Sequence, residues 1–252
     1  MTTLDEFVTL NTFIISDTHF SHSNILSWSP KRLDNSHIPN ASELSESQLG
    51  DLHDSTLATA WNSTVTNQHR VLCLGDFAWK TCERWCKELQ GKKAIILGNH
   101  DKSKSFFMRR FEHVIDSPTI CLNGINLEVT DSTTFKSKPT SCFIKDFEFK
   151  GKSLRIMFSH FPVFDYSNPF DPVQFPQHRL VLERLFDGFK CDLNLHGHIH
   201  DADPTDPRCI NVCVEKIGIK PVTIKQVLEK YFERQNSLNL ASTSEDGSGS
   251  IV

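Results

Sequence analysis

The 252-residue chain has no segment with the features of an export signal or a membrane anchor. Residues 1–6 carry neither a basic start nor an apolar stretch, and a secretory signal needs both. Apolar runs are short throughout, well below the length of about 20 residues that crosses a bilayer. We therefore expect a cytoplasmic protein with no membrane partner.

The sequence also has no excess of positive charge. Its 27 Lys and Arg residues stand against 31 Asp and Glu residues, which gives a net charge of −4. Global charge therefore predicts no attraction to a polyanion, although a local basic patch is compatible with this total. Nucleic acid stays open as a partner, and the sequence does not determine the oligomeric state.

Cysteine pairs with C-x2-C spacing, which are typical of zinc sites, are missing. The closest cysteines are Cys82 with Cys86 and Cys209 with Cys213, each pair separated by three residues. A chain of this length can bury a substantial core without disulfides. We expect all eight cysteines to be reduced and mostly buried as small apolar residues.

Histidine is plentiful, with twelve residues, and metal-binding side chains follow five short apolar segments. Such short runs between polar or glycine residues are typical of buried strands in an α/β fold. In open α/β sheets, ligands bind beyond the strand ends. The side chains in question are Asp17, His19, Asp76, Asn99, His100, Asp101, His160, His198 and His200. Their placement predicts a two-metal hydrolytic site.

The donor set favours particular metals. Two carboxylates, four imidazoles and one amide suit Mn, Fe or Zn better than Ca or Mg, which prefer oxygen ligands alone. Asp17 and His19 lie two apart, so on an extended segment both point to one side and can bind one ion. A single carboxylate between two ions, here Asp76, is the natural bridge. Gly75, Gly98 and Gly197 allow unusual backbone angles and close approach beside these ligands.

Hydrophobic patterning predicts the architecture. Residues 119–122 with 125–128, and 143–150 with 154–158, form hairpin patterns that add a second sheet. The expected fold class is α/β, with two mixed β-sheets packed face to face and helices outside, as a four-layer α/β/β/α sandwich. Capping boxes at Ser45 and Thr223 begin two helices, the first with Leu49, Leu52, Leu57 and Trp61 inward.

Two segments are expected to lack regular structure. Residues 28–41, with two prolines and mixed polarity, look like an exposed loop. From residue 236 the chain is rich in Ser, Thr and Gly and has no periodicity. We therefore predict a catalytic domain over residues 1–235 and a disordered tail over residues 236–252.

The motifs resemble those of the calcineurin-like metallophosphoesterase family in order and form. They are Asp17-x-His19, Gly75-Asp76, Gly98-Asn99-His100-Asp101, Ser159-His160 and Gly197-His198-Ile199-His200. The chain departs from the protein Ser/Thr phosphatases of that family, because Phe77-Ala78-Trp79-Lys80 follows Asp76 and Asp101 follows His100. It is more similar to the compact bacterial or phage members.

The resemblance implies a role for each residue. Asp17, His19 and His200 would hold one divalent metal. Asn99, His160 and His198 would hold a second, with Asp76 between the two. Manganese is the first expectation, with Fe and Zn as alternatives. His100 would donate a proton to the leaving oxygen, oriented by Asp101, while water held between the cations attacks phosphorus in line.

Candidate substrate contacts lie in or after the first loop. His22, Asn24 and Arg32 are near the predicted site, and the Arg32 guanidinium suits a phosphate, although a solvated loop charge is an equal alternative. Trp79 and Trp85 are expected to pack, with base stacking as the second choice. His196 is expected to make a structural hydrogen bond.

These observations lead to three functional hypotheses. The first is a dinuclear-metal phosphoesterase acting on a phosphomonoester or phosphodiester of a small, nucleotide-like molecule. A nuclease acting on nucleic-acid ends is disfavoured by the negative net charge. A non-catalytic metal-binding scaffold is disfavoured because every ligand and the proton donor are present.

Overall fold

The computed structural model describes residues 2–122, 125–128, 140–164 and 176–245. The strands are β1 Phe13–Ile15, β2 Arg70–Cys73, β3 Lys92–Ile96, β4 His113–Ile115, β5 Pro118–Leu122, β6 Ile125–Glu128, β7 Cys142–Phe149, β8 Lys152–Ser159, β9 Leu193–His196, β10 Cys209–Asn211 and β11 Val222–Thr223. The helices are α1 Leu4–Phe7, α2 Ile25–Trp28, α3 Lys31–Ser36, α4 Glu46–Thr64, α5 Cys82–Glu88, α6 Lys104–Phe107, α7 Pro176–Gly188, α8 Val214–Ile217 and α9 Ile224–Glu245, with a 3-10 turn at Ala41–Glu43.

The first sheet has the strand order β11-β1-β2-β3-β4. Strands β1 to β4 run parallel, with Ile14 opposite Leu72 and Cys73 opposite Ile95, whereas β11 is antiparallel to β1. Because β1, β2 and β3 are parallel, the loops that follow them leave the sheet at the same edge.

The second sheet has the order β10-β9-β8-β7-β5-β6. Strands β8, β9 and β10 are parallel, whereas β7 pairs antiparallel with β8 and β5 with β6. Both predicted hairpins are therefore confirmed as antiparallel strand pairs. The turn residues 123–124 and residues 129–139, which follow β6, lie outside the described residues.

The apolar core is divided among three interfaces. Ile14 and Leu72 of the first sheet share one cluster with Phe143 and Phe158 of the second, so the sheets pack face to face. A second cluster joins the outer side of the first sheet to α4 and α5. A third joins the outer side of the second sheet to α7. The predicted order of layers, α/β/β/α, is confirmed.

Helix α4 begins as predicted but presents a different face to the core. Ser45 and Gln48 form the predicted capping box, and Leu57 and Trp61 are buried. Leu52, predicted to face inward, is 40% exposed. It lies five residues before Leu57, about 140° around the helix, whereas His53 lies four before and is buried.

Two expectations of irregular structure are wrong. Residues 28–41 contain the end of α2 and all of α3, and Arg32 and Ser36 are buried there. Helix α9 continues to Glu245, so residues 236–245 are helical rather than part of a disordered tail. The last seven residues, 246–252, lie outside the described residues.

The cysteine prediction agrees with the structure. All eight cysteines are free thiols and all are buried. Among the described residues, no helix has the length and apolar character needed to cross a membrane.

Candidate metal centre

The predicted ligands meet where the carboxyl edges of the two sheets adjoin. Loops after β1, β2 and β3 bring Asp17, Asp76 and Asn99. Loops after β8 and β9 bring His160 and His198. The sheets are joined at this edge because the Ser16 N–H, after β1, donates to the Val212 carbonyl, after β10, at 3.1 Å. The Asp17 N–H donates to the Gly75 carbonyl at 3.0 Å and so connects the loops after β1 and β2.

One group of side chains contains Asp17, His19 and His200, whose potential ligand atoms all lie within 4.8 Å of one another. Asp17 Oδ1 is 3.7 Å from His19 Nε2. Within the described part of the chain, neither of these buried atoms has a hydrogen-bond partner. Buried polar atoms without partners are costly, so this arrangement suits a cation that accepts both lone pairs.

A second group contains Asp17, Asp76 and His160. Asp76 Oδ2 lies 3.5 Å from His19 Nε2 and 3.5 Å from His160 Nε2. One carboxylate oxygen therefore stands between a side chain of each predicted ligand set, which is the position that a bridging ligand requires.

Asn99 and His198 complete the cluster on the His160 side. Asn99 Oδ1 is 2.9 Å from His160 Nε2. The ring centroids of His160 and His198 are 5.1 Å apart. The structure thus brings the seven predicted metal ligands into one place. The participation of Asp17 in both groups was not predicted.

Backbone conformation at the cluster is unusual. Five of the seven predicted ligands have positive φ angles, in the left-handed region that non-glycine residues seldom adopt. They are Asp17 at 56°, His19 at 47°, Asp76 at 52°, His198 at 71° and His200 at 50°. Such conformations cost free energy and concentrate at functional sites, which supports a functional role for this cluster.

Glycines permit the loops to pack against the carboxylates. A Cβ at Gly197 would fall well inside 3.0 Å of Ser16 Oγ and Asp17 Oδ2. A Cβ at Gly98 would similarly collide with Asp76 Oδ1. Asp17 Oδ2 accepts hydrogen bonds from Ser16 Oγ at 2.6 Å and from the His198 N–H at 2.8 Å. Close backbone approach is therefore part of how Asp17 is oriented.

Two histidines are oriented through the ring nitrogen that faces away from the cluster. His160 Nδ1 lies 2.8 Å from the Leu74 carbonyl, to which it donates, so Nε2 keeps its lone pair toward Asp76 and Asn99. His200 Nδ1 lies 3.0 Å from Glu215 Oε1. Partners of this kind set the tautomer and ring direction of metal-binding histidines.

Glu215 is a residue of the site that the sequence did not identify. It is buried, and its Oε1 accepts a hydrogen bond from Arg32 Nε at 2.6 Å. Burial raises the pKa of Glu215, but the Arg32 charge and the hydrogen bond with His200 outweigh it and hold this pKa at about 2. Arg32 and Glu215 are 183 positions apart, and neither lies in a motif, so no local pattern links them.

Arg32 does not occupy the exposed position expected of it. Its side chain is fully buried. Besides Glu215, the guanidinium donates to the carbonyl oxygens of Asp17 and Thr18. This corrects its expected role as a solvent-facing phosphate contact, because its donors are directed at the loop after β1 and at Glu215.

Asp101 acts on the backbone of two loops. Its Oδ2 accepts from the N–H groups of Asp76 at 2.9 Å and Gly98 at 2.8 Å, and its Oδ1 accepts from the Phe77 N–H at 2.9 Å. Burial and the charge of Asp76 raise the pKa of Asp101 to about 7, against these hydrogen bonds. These contacts show that Asp101 positions the loops after β2 and β3, a role that the sequence did not predict.

His100 stands at the exposed side of the cluster. Its backbone N–H donates to Asp76 Oδ1 at 2.9 Å. Its ring is exposed, and its centroid lies 5.8 Å from that of His19. A solvent-accessible imidazole beside the ligand cluster is suitably placed to exchange a proton with a bound molecule.

The other candidate contacts differ in position. His22 is half-buried, and its Nδ1 is 3.3 Å from His19 Nδ1. Burial and the nearby His19 lower the pKa of His22 to about 4. Asn24 is exposed at the start of α2, and its side chain makes no capping hydrogen bond. His196 is buried with Nδ1 2.8 Å from the Gly197 carbonyl, as a structural residue would be.

Comparison with known proteins gives one family match. The model of the calcineurin-like phosphoesterase family matches residues 10–202. Gene 66 protein of Mycobacterium phage L5 is 32% identical over 97 residues, which are 36% of this chain and 40% of that protein. An uncharacterized protein of Methanocaldococcus jannaschii is 32% identical over 95 residues, 36% of this chain and 46% of that protein. The chain thus matches less than half the length of these curated relatives.

A solved structure is also similar. A protein of unknown function from Aquifex aeolicus superposes with a TM-score of 0.55 at 23% identity, covering 86% of this chain and 97% of that one. At this identity the likeness concerns the fold.

Proposed function

The chain belongs to the calcineurin-like phosphoesterase family, and we propose that it hydrolyses a phosphomonoester or phosphodiester of a small molecule with two divalent cations. The observation that carries this proposal is the position of Asp76 Oδ2, 3.5 Å from both His19 Nε2 and His160 Nε2. That position fits a ligand shared by two ions. The strained backbone at five of the seven ligands supports it.

Each side chain has a role in this proposal. Asp17, His19 and His200 would hold one cation, Asn99, His160 and His198 would hold the other, and Asp76 would belong to both sets of ligands. Manganese is the proposed metal, with Fe and Zn as alternatives, because mixed oxygen and nitrogen donors suit these three ions better than Ca or Mg. When bound, the two cations would supply an acidified water and neutralise charge on the phosphoryl group.

His100 supplies the proton in the proposed reaction. The P–O bond to the leaving group breaks as the bond from water oxygen to phosphorus forms. The water gives up a proton to solvent, His100 gives a proton to the leaving oxygen, and His100 then regains one from solvent. A positioned acid of this kind contributes roughly 10²–10⁴-fold to the rate. The hydrogen bond from the His100 N–H to Asp76 holds the imidazole beside the cluster.

The test is hydrolysis of an aryl phosphate and an aryl phosphodiester panel with Mn²⁺, Fe²⁺ or Zn²⁺. We expect Asp76→Asn to abolish turnover together with metal binding. We expect His100→Ala to lower kcat by on the order of 10²–10⁴-fold with metal binding intact. His69→Ala is the matched control, because His69 is exposed just before β2, at the opposite end of that strand from Asp76.

Folded, metal-loaded protein that hydrolyses neither class of ester with any of these ions would contradict the proposal and favour the scaffold hypothesis. The nuclease hypothesis predicts salt-sensitive binding to DNA or RNA ends in a gel shift. We favour the small substrate because the net charge is −4. We also propose that residues 1–235, together with the rest of α9, form the catalytic domain, and that the protein works in the cytoplasm.

A further inference from the structure

Four aromatic rings form a continuous row along one side of the candidate metal centre. The His22 ring stacks on Trp79 with centroids 4.9 Å apart and planes 15° apart. Trp28 meets His22 edge-on at 5.2 Å, and Trp79 lies 5.6 Å from His100. We refer to Trp28, His22, Trp79 and His100 as the aromatic row. It connects the cluster, through His19 beside His22, to the proposed proton donor.

Both tryptophans of the row face solvent. Trp28 is 54% exposed and Trp79 is 37% exposed. Trp85 behaves as the sequence predicts, since it is only 2% exposed and stacks on Phe20 at 4.5 Å. Trp79 departs from that expectation. Large apolar side chains left exposed next to one another, beside a cluster of polar side chains, are typical of binding surfaces.

The backbone holds the row in place before any ligand binds. The Trp79 N–H donates to the Phe20 carbonyl at 2.8 Å, and Phe20 forms an isolated β-bridge with Ala78. This bridge ties the loop after β1, which carries His22, to the loop after β2, which carries Trp79. Trp28 is the last residue of α2. A preformed platform loses little conformational entropy when a ring stacks on it.

We propose that Trp79 and Trp28 bind a planar ring, a nucleobase or an aryl group, on the leaving-group side of the phosphoester. The proposal rests on the phosphoesterase function, since it uses the metal centre to place the phosphoryl group. The ring belongs to the leaving group because the row ends at His100, which protonates the leaving oxygen. His22 supports Trp79 from the side of the cluster by stacking on it.

Equilibrium binding tests this assignment without turnover. Benzylphosphonate and butylphosphonate both carry a C–P bond that a phosphoesterase does not hydrolyse. Both have an apolar substituent on the phosphonate, but only the benzyl substituent has a ring. With Mn²⁺ bound, we expect benzylphosphonate to bind about 10-fold more tightly, in line with the strength of stacking on aromatic side chains. Trp79→Ala should remove that preference and Trp79→Phe should keep most of it.

Leu180→Ala is the matched control, because Leu180 is also an exposed apolar residue but lies away from the aromatic row. It belongs to α7, the helix that packs on the outer face of the second sheet. Leu180→Ala should leave both affinities unchanged. Equal binding of the two phosphonates by the wild-type protein would overturn the assignment. A preference that survives in both Trp79→Ala and Trp28→Ala would overturn it as well.

Hydrolysis separates this inference from the proposed function. We expect Trp79→Ala to raise KM about 10-fold for phenyl phosphate and a nucleoside 5′-monophosphate. Its kinetics with glycerol phosphate, which has no ring, should stay within about 2-fold of the wild type. Equal losses for all three substrates would refute the aromatic assignment alone. Absence of hydrolysis by the wild type, with ring-selective phosphonate binding retained, would refute the phosphoesterase proposal alone.

Discussion

At the candidate metal centre, the short distances between neighbouring loops limit which residue can occupy a position. Gly197 illustrates this, because any side chain there would collide with Ser16 and with the Asp17 carboxylate. Asp17 in turn contributes to both groups of potential metal ligands. A single methyl group at Gly197 therefore acts on the metal centre as well as on packing.

We predict that Gly197→Ala destabilises the protein by about 1–3 kcal/mol, the usual range for overpacking, and weakens Mn²⁺ binding. Urea unfolding and a Mn²⁺ titration measure the two effects. Gly188→Ala is the matched control, because a Cβ there meets nothing within 4 Å at the end of α7. Unchanged metal affinity in Gly197→Ala would contradict the role given to this close approach.

The buried ion pair of Arg32 with Glu215 positions the His200 ring, because Glu215 also contacts His200 Nδ1. Glu215→Gln would leave the buried guanidinium without its carboxylate, a change that typically costs about 3–5 kcal/mol. Loss of the partner of His200 should also lower metal affinity by about 10–100-fold. Urea unfolding and Mn²⁺ binding report the two losses separately.

A double-mutant cycle provides the control for this pair. The double variant, with Arg32→Met and Glu215→Gln, should lose far less unfolding free energy than the two single variants lose in total. The reason is that the double variant leaves no buried charge unpaired. Glu88→Gln, in the exposed pair of Arg84 with Glu88, should change stability little. Additive effects of Arg32→Met and Glu215→Gln would show that the two side chains are not coupled.

At this scale, the sequence revealed residues that lie in motifs and missed those that act across the fold. Asp76 and His160 were found because each follows a short apolar run and a characteristic neighbour. Arg32 was misassigned and Glu215 overlooked because their pairing depends on tertiary contact between α3 and α8. A charged side chain carries no local sign that it will be buried.

Helices and strands with strong local signals were predictable. The capping boxes at Ser45 and at Thr223 with Gln226 both formed. The short helices α2 and α3 were missed because neither has more than six residues and neither is preceded by a capping-box sequence. Where no cap marks the start of a helix, packing against the rest of the fold decides its presence.

The orientation of α4, which buries Leu57 and exposes Leu52, predicts how two substitutions on this helix change stability. Leu57→Ala removes a fully buried side chain and should cost about 2–5 kcal/mol of unfolding free energy. Leu52→Ala, on the exposed side of the same helix, should cost much less than 1 kcal/mol. Urea unfolding of both variants checks the orientation, and equal losses would restore the inward position first assigned to Leu52.

Metal binding should stabilise the whole molecule, because the ligands come from loops of both sheets. An ion at 100 times its dissociation constant adds about 2.7 kcal/mol to the stability of the folded state. We expect Mn²⁺ to raise the Tm, EDTA to reverse the increase, and Asp76→Asn to abolish it. A Tm that is the same in Mn²⁺ and EDTA would show that the cluster holds no ion of significant affinity.

The layered architecture was predictable from hairpin patterns and from the order of the motifs, whereas the strand order was not. Strand β5 pairs in parallel with β7, with Thr119 opposite Phe143. Such a pairing joins segments separated in sequence, so it depends on competition among all available strand edges. Local periodicity identifies strands without identifying their neighbours.

The pairing of β1 also bears on when the centre can assemble during synthesis. Strand β1 lies between β2 and β11, with Phe13 opposite both Val71 and Thr223, and Asp17 sits beside Cys213. A nascent polypeptide that has not yet reached Val222 therefore lacks one of the two strands that flank β1. Because contacts between residues far apart in sequence form slowly, we expect cation binding to follow the synthesis and pairing of β11.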